Sequence, residues 1–203
     1  MRVNNFDKEM EKIILGLKRK GEKPKLLLHS CCAPCSTACI ERIKDAFDIT
    51  VYYYNPNLDT EEEFNLRAKE QLRYCGEVGV NCIVENYNKS EFLSAATGLE
   101  HLPEGGARCL ECFNLRLKKT AEKAKEHGFE YFTTTLTVSP LKNANKLNEI
   151  GKAVADKIGV KFLPTDFKKK NGYLRSIELS KEYNLYRQNY CGCEFSKNSL
   201  PNA

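Results

Sequence analysis

Apolar residues at Phe6, Met10, Ile13, Ile14 and Leu17 recur at three- and four-residue intervals, so the chain opens with an amphipathic helix over residues 5–20, stopped by the polar run through Gly21 and Pro24. The period then changes. Lys25–His29 holds three consecutive leucines, a short apolar run suited to a strand buried on both faces. From there strand-like runs alternate with helical patterns. Strands are expected at Ile49–Tyr54, Val80–Glu85, Tyr131–Thr137 and Val160–Leu163. Helices are expected from Pro34 to about Ala46, from Thr60 to Glu77, briefly near Ser90, and from Cys109 to His127-Gly128. Leu147, Ile150, Val154 and Ile158 mark another, and a last one runs from Tyr173 to about Leu185. Local chemistry sets several ends: Pro34 is tolerated in a first helical turn, Thr60 with Glu63 makes a capping box, and Gly128 closes a helix. An irregular tail, 186–203, completes the chain.

Five rounds of strand and helix predict an α/β fold, a Rossmann-like parallel sheet of about five strands with helices on both faces, in one domain over residues 1–203. Sheets of this kind bind ligands beyond the carboxyl ends of their strands, near the switch point. The residues that follow each strand are therefore the first places to look. They are Ser30-Cys31-Cys32, Asn55-Pro56-Asn57, Tyr87, Thr135 to Ser139, and Asp166.

Composition narrows the class. With 41% hydrophobic and 29% charged residues, ten Phe and ten Tyr, the chain is neither disordered nor fibrous. Apolar runs such as Ile13-Ile14-Leu15 are too short to span a bilayer, and the charged opening segment lacks a signal peptide's apolar centre. A cytoplasmic protein without membrane association is expected. That makes the ten cysteines the main question, because a reducing compartment does not keep structural disulfides. Seven form three tight groups: Cys31, Cys32 and Cys35; Cys109 and Cys112; Cys191 and Cys193. Cys39, Cys75 and Cys82 stand apart and read as small buried apolar side chains.

Cys31/Cys32 with Cys109/Cys112 would supply four thiolates to tetrahedral zinc or to an iron–sulfur cluster. Two C-x2-C knuckles, Cys32/Cys35 and Cys109/Cys112, would suit structural zinc, and spacing does not choose between the metals. Cys109 and Cys112 share one face of a first helical turn, where the positive helix end and neighbouring Arg108 favour thiolates. As a disulfide, Cys191-Gly192-Cys193 would close a very small, easily reduced ring, better suited to relaying electrons than to stapling the fold. Metal ligation is the plainer use of that pair, yet a third thiol group tilts the set toward redox chemistry. Asp166, ahead of Lys168-Lys169-Lys170, is equally explained by helix capping or lysine pairing. Among His29, His101 and His127 there is no Ser–His–Asp pattern, so hydrolase chemistry is unsupported. The net charge of +5 is mild but concentrated in Lys18–Lys20, Arg116–Lys125 and Lys168–Arg175. Such runs are usually solvated faces; around a cleft with Tyr53, Tyr54, Tyr87, Tyr173, Tyr186 and Tyr190 they would suit RNA, with an extruded base stacked on a ring.

In combination and order, these motifs resemble one family. Leu28-His29-Ser30-Cys31-Cys32-Ala33-Pro34-Cys35-Ser36, Tyr54-Asn55-Pro56-Asn57, Arg108-Cys109 with Cys112 and Arg116, Thr134-Thr135-Leu136 with Ser139-Pro140, Asp166-Phe167, and the tail from Tyr186 through Tyr190 to Cys193 are similar to the cobalamin-independent epoxyqueuosine reductases, the QueH family. Leu58-Asp59-Thr60 departs from the pattern, which has His-Pro there. The resemblance implies reduction of the epoxide of epoxyqueuosine in tRNA to the cyclopentene, with a [4Fe–4S] cluster, a second mononuclear iron and an unidentified electron donor. By motif, Cys31, Cys32, Cys109 and Cys112 would ligate the cluster, Cys191 and Cys193 would be the redox-active pair, and Asp166 a ligand of the second iron. Cys35 would replace Cys31 or Cys32, or face the second iron.

Three alternatives compete. A thioredoxin-like thiol-disulfide oxidoreductase would use Cys32-Ala33-Pro34-Cys35 but leave the other thiol groups idle. An ATP-using RNA thiolation enzyme would need a glycine-rich loop where this chain has Ser30-Cys31-Cys32-Ala33-Pro34. A zinc-stapled RNA-binding module would do no catalysis.

Overall fold

A computed structural model describes residues 5–188 and 190–197; residues 1–4, Asn189 and the last part of the expected tail, 198–203, lie outside it. The helix α1 (Phe6–Lys20) leads into β1 (Lys25–Ser30), α2 (Ala33–Ile43), β2 (Asp48–Tyr53), α3 (Glu61–Glu77), β3 (Asn81–Val84) and α4 (Lys89–Ala96). There follow α5 (Ala107–Glu126), β4 (Tyr131–Thr134), a 3-10 turn (Thr135–Val138), α6 (Ala144–Ile158), β5 (Lys161–Phe162), α7 (Gly172–Glu182) and a single turn, α8 (Glu194–Lys197). The tail expected to be irregular therefore contains one helical turn.

The five strands are parallel in the order β3-β2-β1-β4-β5. β1 lies at the centre, and the winding reverses between β1 and β4, so the residues after Ser30 and Thr134 flank the switch point. Alternation along β1 divides the core. Leu26 and Leu28 point to one face, with Met10, Ile40, Ile43 and Phe47, and Leu27 points to the other, with Phe113, Leu117, Phe132 and Leu147. Helices α2 and α7 pack together on the first face, α5 and α6 on the second. A β-carbon on Gly151 of α6 would stand 2.3 Å from Cζ of Phe162, so only glycine lets α6 approach β5 this closely. Among the described residues no helix is long and apolar enough to cross a membrane.

Two local departures from the sequence expectation have physical causes. The fourth strand stops at Thr134 rather than Thr137, because the Thr134 hydroxyl accepts a hydrogen bond from the Leu136 amide (3.1 Å) and turns the backbone. The capping box is half made: Thr60 Oγ1 accepts from the Glu63 amide (3.2 Å), but the Glu63 carboxylate goes to Arg67 (2.6 Å) and Asp59 takes the Thr60 amide (3.1 Å). Pro34 does fall in the first turn of α2, which starts one residue earlier than expected and ends at Ile43.

His29 is a core residue. Its Nε2 lies 3.1 Å from the Tyr54 carbonyl and its Nδ1 2.9 Å from Thr134 Oγ1. A carbonyl only accepts, so Nε2 carries the hydrogen and Nδ1 accepts from the threonine hydroxyl. Burial, with Arg116 nearby, holds its pKa down to about 3, so the ring stays neutral.

Candidate active site

The β1–α2 loop is the first part of the site. Asn55 Nδ2 holds the Ser30 carbonyl (3.0 Å), and Ser30 Oγ lies 2.8 Å from Gln71 Oε1, whose amide nitrogen donates to Ser36 Oγ (3.0 Å). Cys32 is extended and precedes the first residue of α2, with its carbonyl accepting from the Cys35 and Ser36 amides. One helical turn then brings three sulfurs together. Cys32 and Cys35 are 3.0 Å apart, Cys31 and Cys32 3.8 Å, and all three Sγ atoms lie within 4.8 Å of one another. From the other side of the switch point, Thr135 Oγ1 comes within 3.8 Å of Cys31 Sγ.

The three thiols differ sharply in acidity. Hydrogen bonds from Cys32 and Cys35, reinforced by Arg116 and Lys142 against the cost of burial, hold Cys31 well below the usual thiol range. Cys32 is pushed up to about 12 and Cys35 well above the ordinary value, each first by its bond to Cys31. Cys31 is thus the most acidic of the three, while Cys32 Sγ donates to Cys35 Sγ.

Helix α5 supplies the second group. It begins at Ala107, two residues before the expected start, and Cys109 Sγ accepts from the Gly105 amide (3.3 Å), standing in for a side-chain cap that Gly106 lacks. Cys112 is buried, and burial raises its pKa although Arg116 pulls the other way. A helix-end thiolate at Cys112 was expected from sequence; in the chain alone desolvation wins. Arg108 lines the same cavity as Cys109, Cys112 and Cys193, but its guanidinium is committed to other partners. Its guanidinium binds the Glu100 (2.7 Å) and Leu102 carbonyls and lies 4.4 Å from the centre of the Phe195 ring. The cation that serves the thiols is Arg116, four residues after Cys112 on the same face. It is buried, its Nε and Nη1 make 3.4 Å bonds to the Cys112 carbonyl and Asn55 Oδ1, and its Nη2 has no hydrogen-bond partner among the described residues.

The tail brings the third group. Lys142 Nζ donates to Cys191 Sγ (3.3 Å), and the Cys191 amide donates to Ser196 Oγ (3.2 Å). Burial raises the Cys193 thiol to about 11. Between them Gly192 sits at φ +112°, where a β-carbon would meet Leu58 Cδ2 at 2.3 Å and Arg67 Nη1 at 3.1 Å. Asp59, in the loop where the sequence departs from the family pattern, ties this turn down. Its amide donates to the Gly192 carbonyl (2.9 Å), while its carboxylate accepts from the Tyr190 hydroxyl (3.0 Å) and from Lys197 Nζ (2.9 Å). The Asp59 side chain is only 8% exposed but its Lys197 partner is 54% exposed, so the bond from Tyr190 is the better shielded of the two. Asp59→Ala is expected to raise amide hydrogen exchange across residues 190–197 by up to about 10-fold, with the global unfolding midpoint little changed. Unaltered exchange there would show that the latch does not hold the tail.

Two cavities hold these groups. One of about 520 Å³ is lined by Cys31, Cys32 and Cys35, and one of about 220 Å³ by Cys109, Cys112 and Cys193. They share Glu104, Arg116, Leu141, Lys142 and Cys191 as walls. The three thiol groups thus surround one guanidinium and one ammonium at the switch point, although Cys109 and Cys112 stand outside the 4.8 Å set. Asp166 lines neither cavity; its Oδ1 makes no hydrogen bond and lies 3.4 Å from Lys168 Nζ.

Of the tyrosines considered for base stacking, Tyr53 and Tyr54 are buried in the core, against Phe64 and Tyr52 respectively, and Tyr87 packs on Phe64. Tyr186 hydrogen-bonds Glu63 on α3. Only Tyr173 and Tyr190 line the larger cavity, with Arg187 5.6 Å from the Tyr173 ring centre. Arg116, quoted in the motif without a role, and Lys142 and Glu104, not singled out at all, are the site residues the sequence reasoning missed.

The model of the family described as epoxyqueuosine reductase QueH matches residues 26–199. The chain belongs to this family. Proteins named epoxyqueuosine reductase QueH include one from Staphylococcus epidermidis, 46% identical over 200 residues that cover 95% of this chain and 84% of the relative. Another, from Streptococcus pyogenes, is 41% identical, with 95% and 78% covered, and a third, from Thermotoga maritima, 37% identical, with 84% and 89% covered. As a QueH protein the chain is an enzyme of the oxidoreductase class, which removes the non-catalytic zinc module from consideration. Among solved structures, the U34-tRNA thiolase NcsA from Methanococcus maripaludis with its [4Fe-4S] cluster has a TM-score of 0.55 at 12% identity, covering 93% of this chain and 67% of that one. A predicted subunit of tRNA methyltransferase from Methanocaldococcus jannaschii has a TM-score of 0.51 at 12% identity, covering 79% and 74%. At that identity the likeness is one of fold, and it agrees with the α/β sheet expected for QueH proteins.

Proposed function

We propose that this chain reduces the epoxide of epoxyqueuosine in tRNA to the cyclopentene, using a [4Fe–4S] cluster and a second iron bound by its own side chains. The observation that carries this is the gathering of three thiol groups around a buried guanidinium with an unpartnered Nη2. The residues fit such a centre. The donors are sulfur, the ligand type iron–sulfur centres take, one of them, Cys31, is made more acidic by its neighbours, and Arg116 Nη2 would meet the negative charge that thiolate ligation gathers. Cys31, Cys32, Cys109 and Cys112 are the proposed cluster ligands. Cys35, beside the first two, is the proposed ligand of the second iron; Asp166, carried over by motif as a further ligand, lines neither cavity and would have to leave its ion pair with Lys168 to bind. When bound, the iron supplies single-electron transfer and Lewis-acid polarisation of the epoxide oxygen.

The protein's own groups account for the remaining needs. Converting an epoxide to an alkene and water consumes two electrons and two protons. Oxidation of the Cys191 and Cys193 thiols to a disulfide releases two electrons and two protons, and the external donor would then restore the thiols. Burial pulls the Lys142 ammonium down, but the sulfurs of Cys191 and Cys31 outweigh it and keep the group charged. Its Nζ is therefore a donor that can hydrogen-bond the oxygen as the C–O bond breaks. Tyr173 and Tyr190 line the larger cavity and could stack an extruded base once the cations over their rings, Arg187 on the first and Arg67 and Lys197 on the second, move aside.

The test is anaerobic incubation of the metal-loaded chain with epoxyqueuosine-containing tRNA and a reductant, followed by mass spectrometry of the nucleosides. Queuosine should replace epoxyqueuosine with the loss of one oxygen; unchanged epoxyqueuosine in the presence of a full iron complement would refute the reading.

A further inference from the structure

We infer that Glu104 is the carboxylate that receives the protonated amine of the substrate nucleoside, and so sets which tRNA is recognised. The inference rests on the proposed substrate. Epoxyqueuosine joins its oxygenated five-membered ring to a deazaguanine base through an aminomethyl link, and a secondary amine of that kind is cationic near neutral pH.

The site is otherwise unfavourable to a cation. Arg116, Lys142 and Arg187 all line the larger cavity, and Arg116 and Lys142 line the smaller one too. An ammonium entering between them is repelled unless a negative group meets it. Among the described residues, Glu104 is the one carboxylate on the wall of either cavity, and it belongs to both. That position matches the ligand: the amine sits between base and five-membered ring, and Glu104 sits where two adjoining spaces meet. The side chain is exposed and reachable. Its Oε2 accepts from Ser196 Oγ (3.2 Å), which orients the carboxylate, while Oε1 makes no hydrogen bond among the described residues. Cys191 is tied to the same hydroxyl through its amide (3.2 Å), so a substrate held by Glu104 is registered against the thiol pair.

A purely structural role is the competing explanation, since Glu104 lies just ahead of the positive end of α5, whose first residue is Ala107. The two are separated by binding measurements on the metal-loaded enzyme. Product tRNA carrying queuosine retains the amine, and the same tRNA carrying guanosine at that position lacks it. Wild type should prefer the queuosine-bearing tRNA. Glu104→Gln should weaken that complex on the order of 10- to 100-fold, the usual worth of a charge-assisted hydrogen bond, and leave affinity for the guanosine-bearing tRNA unchanged. Glu104→Asp should restore part of the preference, and in turnover the Glu104→Gln change should fall mainly on KM. If Glu104→Gln keeps the preference, or if wild type shows none, the inference is wrong while the reductase reading stands. If wild type converts no epoxyqueuosine at all, the reductase reading fails and the inference with it.

Discussion

Cys31→Ser is expected to lower turnover by at least about 100-fold and to strip iron from the chain, with the fold intact. Changing residues that merely support a metal's ligands typically costs 10- to 100-fold, so losing a ligand should cost no less. Cys31 is the decisive member of its group because it alone is held below the usual thiol range, by the two neighbouring thiols and by Arg116 and Lys142. A serine hydroxyl keeps much of the size and the hydrogen bonds but is not deprotonated by such neighbours, so the anionic ligand is lost. The control lies in the same chain. Cys75→Ser, on the buried face of α3, should cost stability but leave iron per folded chain unchanged. Iron analysis with turnover on both variants checks this, and a Cys31→Ser enzyme with full iron and full turnover would remove Cys31 from the centre.

Arg116→Met is expected to cost both stability and iron retention. The guanidinium is buried, and the sulfurs of Cys112, Cys191, Cys31 and Cys193, against the opposing pull of desolvation, keep it charged. Taking away one member of a buried charged set leaves its partners unmatched, so a methionine of similar length should lower the unfolding free energy by about 3–5 kcal/mol. The thiol groups would lose their shared counter-charge. Iron should then pass to a chelator at least about tenfold faster and turnover fall by about 10- to 100-fold. Urea titration, chelator kinetics and turnover measured together test it; iron retention equal to wild type would show that Arg116 is only a packing element.

How much of this was legible beforehand depended on whether the cause was local. Leu26-Leu27-Leu28 identified a strand buried on both faces because the central strand of a covered parallel sheet needs apolar residues on each side. The three cysteine groups stood out through spacing alone. The end of β4 did not, because β-branched Thr135 and Thr137 suit a strand and only the Thr134 hydroxyl, bound to the Leu136 amide, decides otherwise. Arg108 was favoured over Arg116 because it adjoins Cys109 in sequence, whereas the helix turns its guanidinium toward the Glu100 and Leu102 carbonyls. Arg116, in a basic run usually read as a solvated face, points inward at a position set by the packing of α5 on the sheet. Lys142 and Glu104 come from loops, where pattern carries no orientation. Tyr53 and Tyr54 misled for the opposite reason: at the end of β2 they have strand neighbours that bury them.

Iron content and Mössbauer spectra of the anaerobically purified wild-type chain bear most directly on the thiol centre. A four-iron cluster plus a separate iron, about five irons per chain, is the expected result, with the cluster signal lost when Cys31 or Cys109 is replaced by serine. Zinc in place of iron, or a cluster signal that survives both replacements, would contradict the centre described for these thiols.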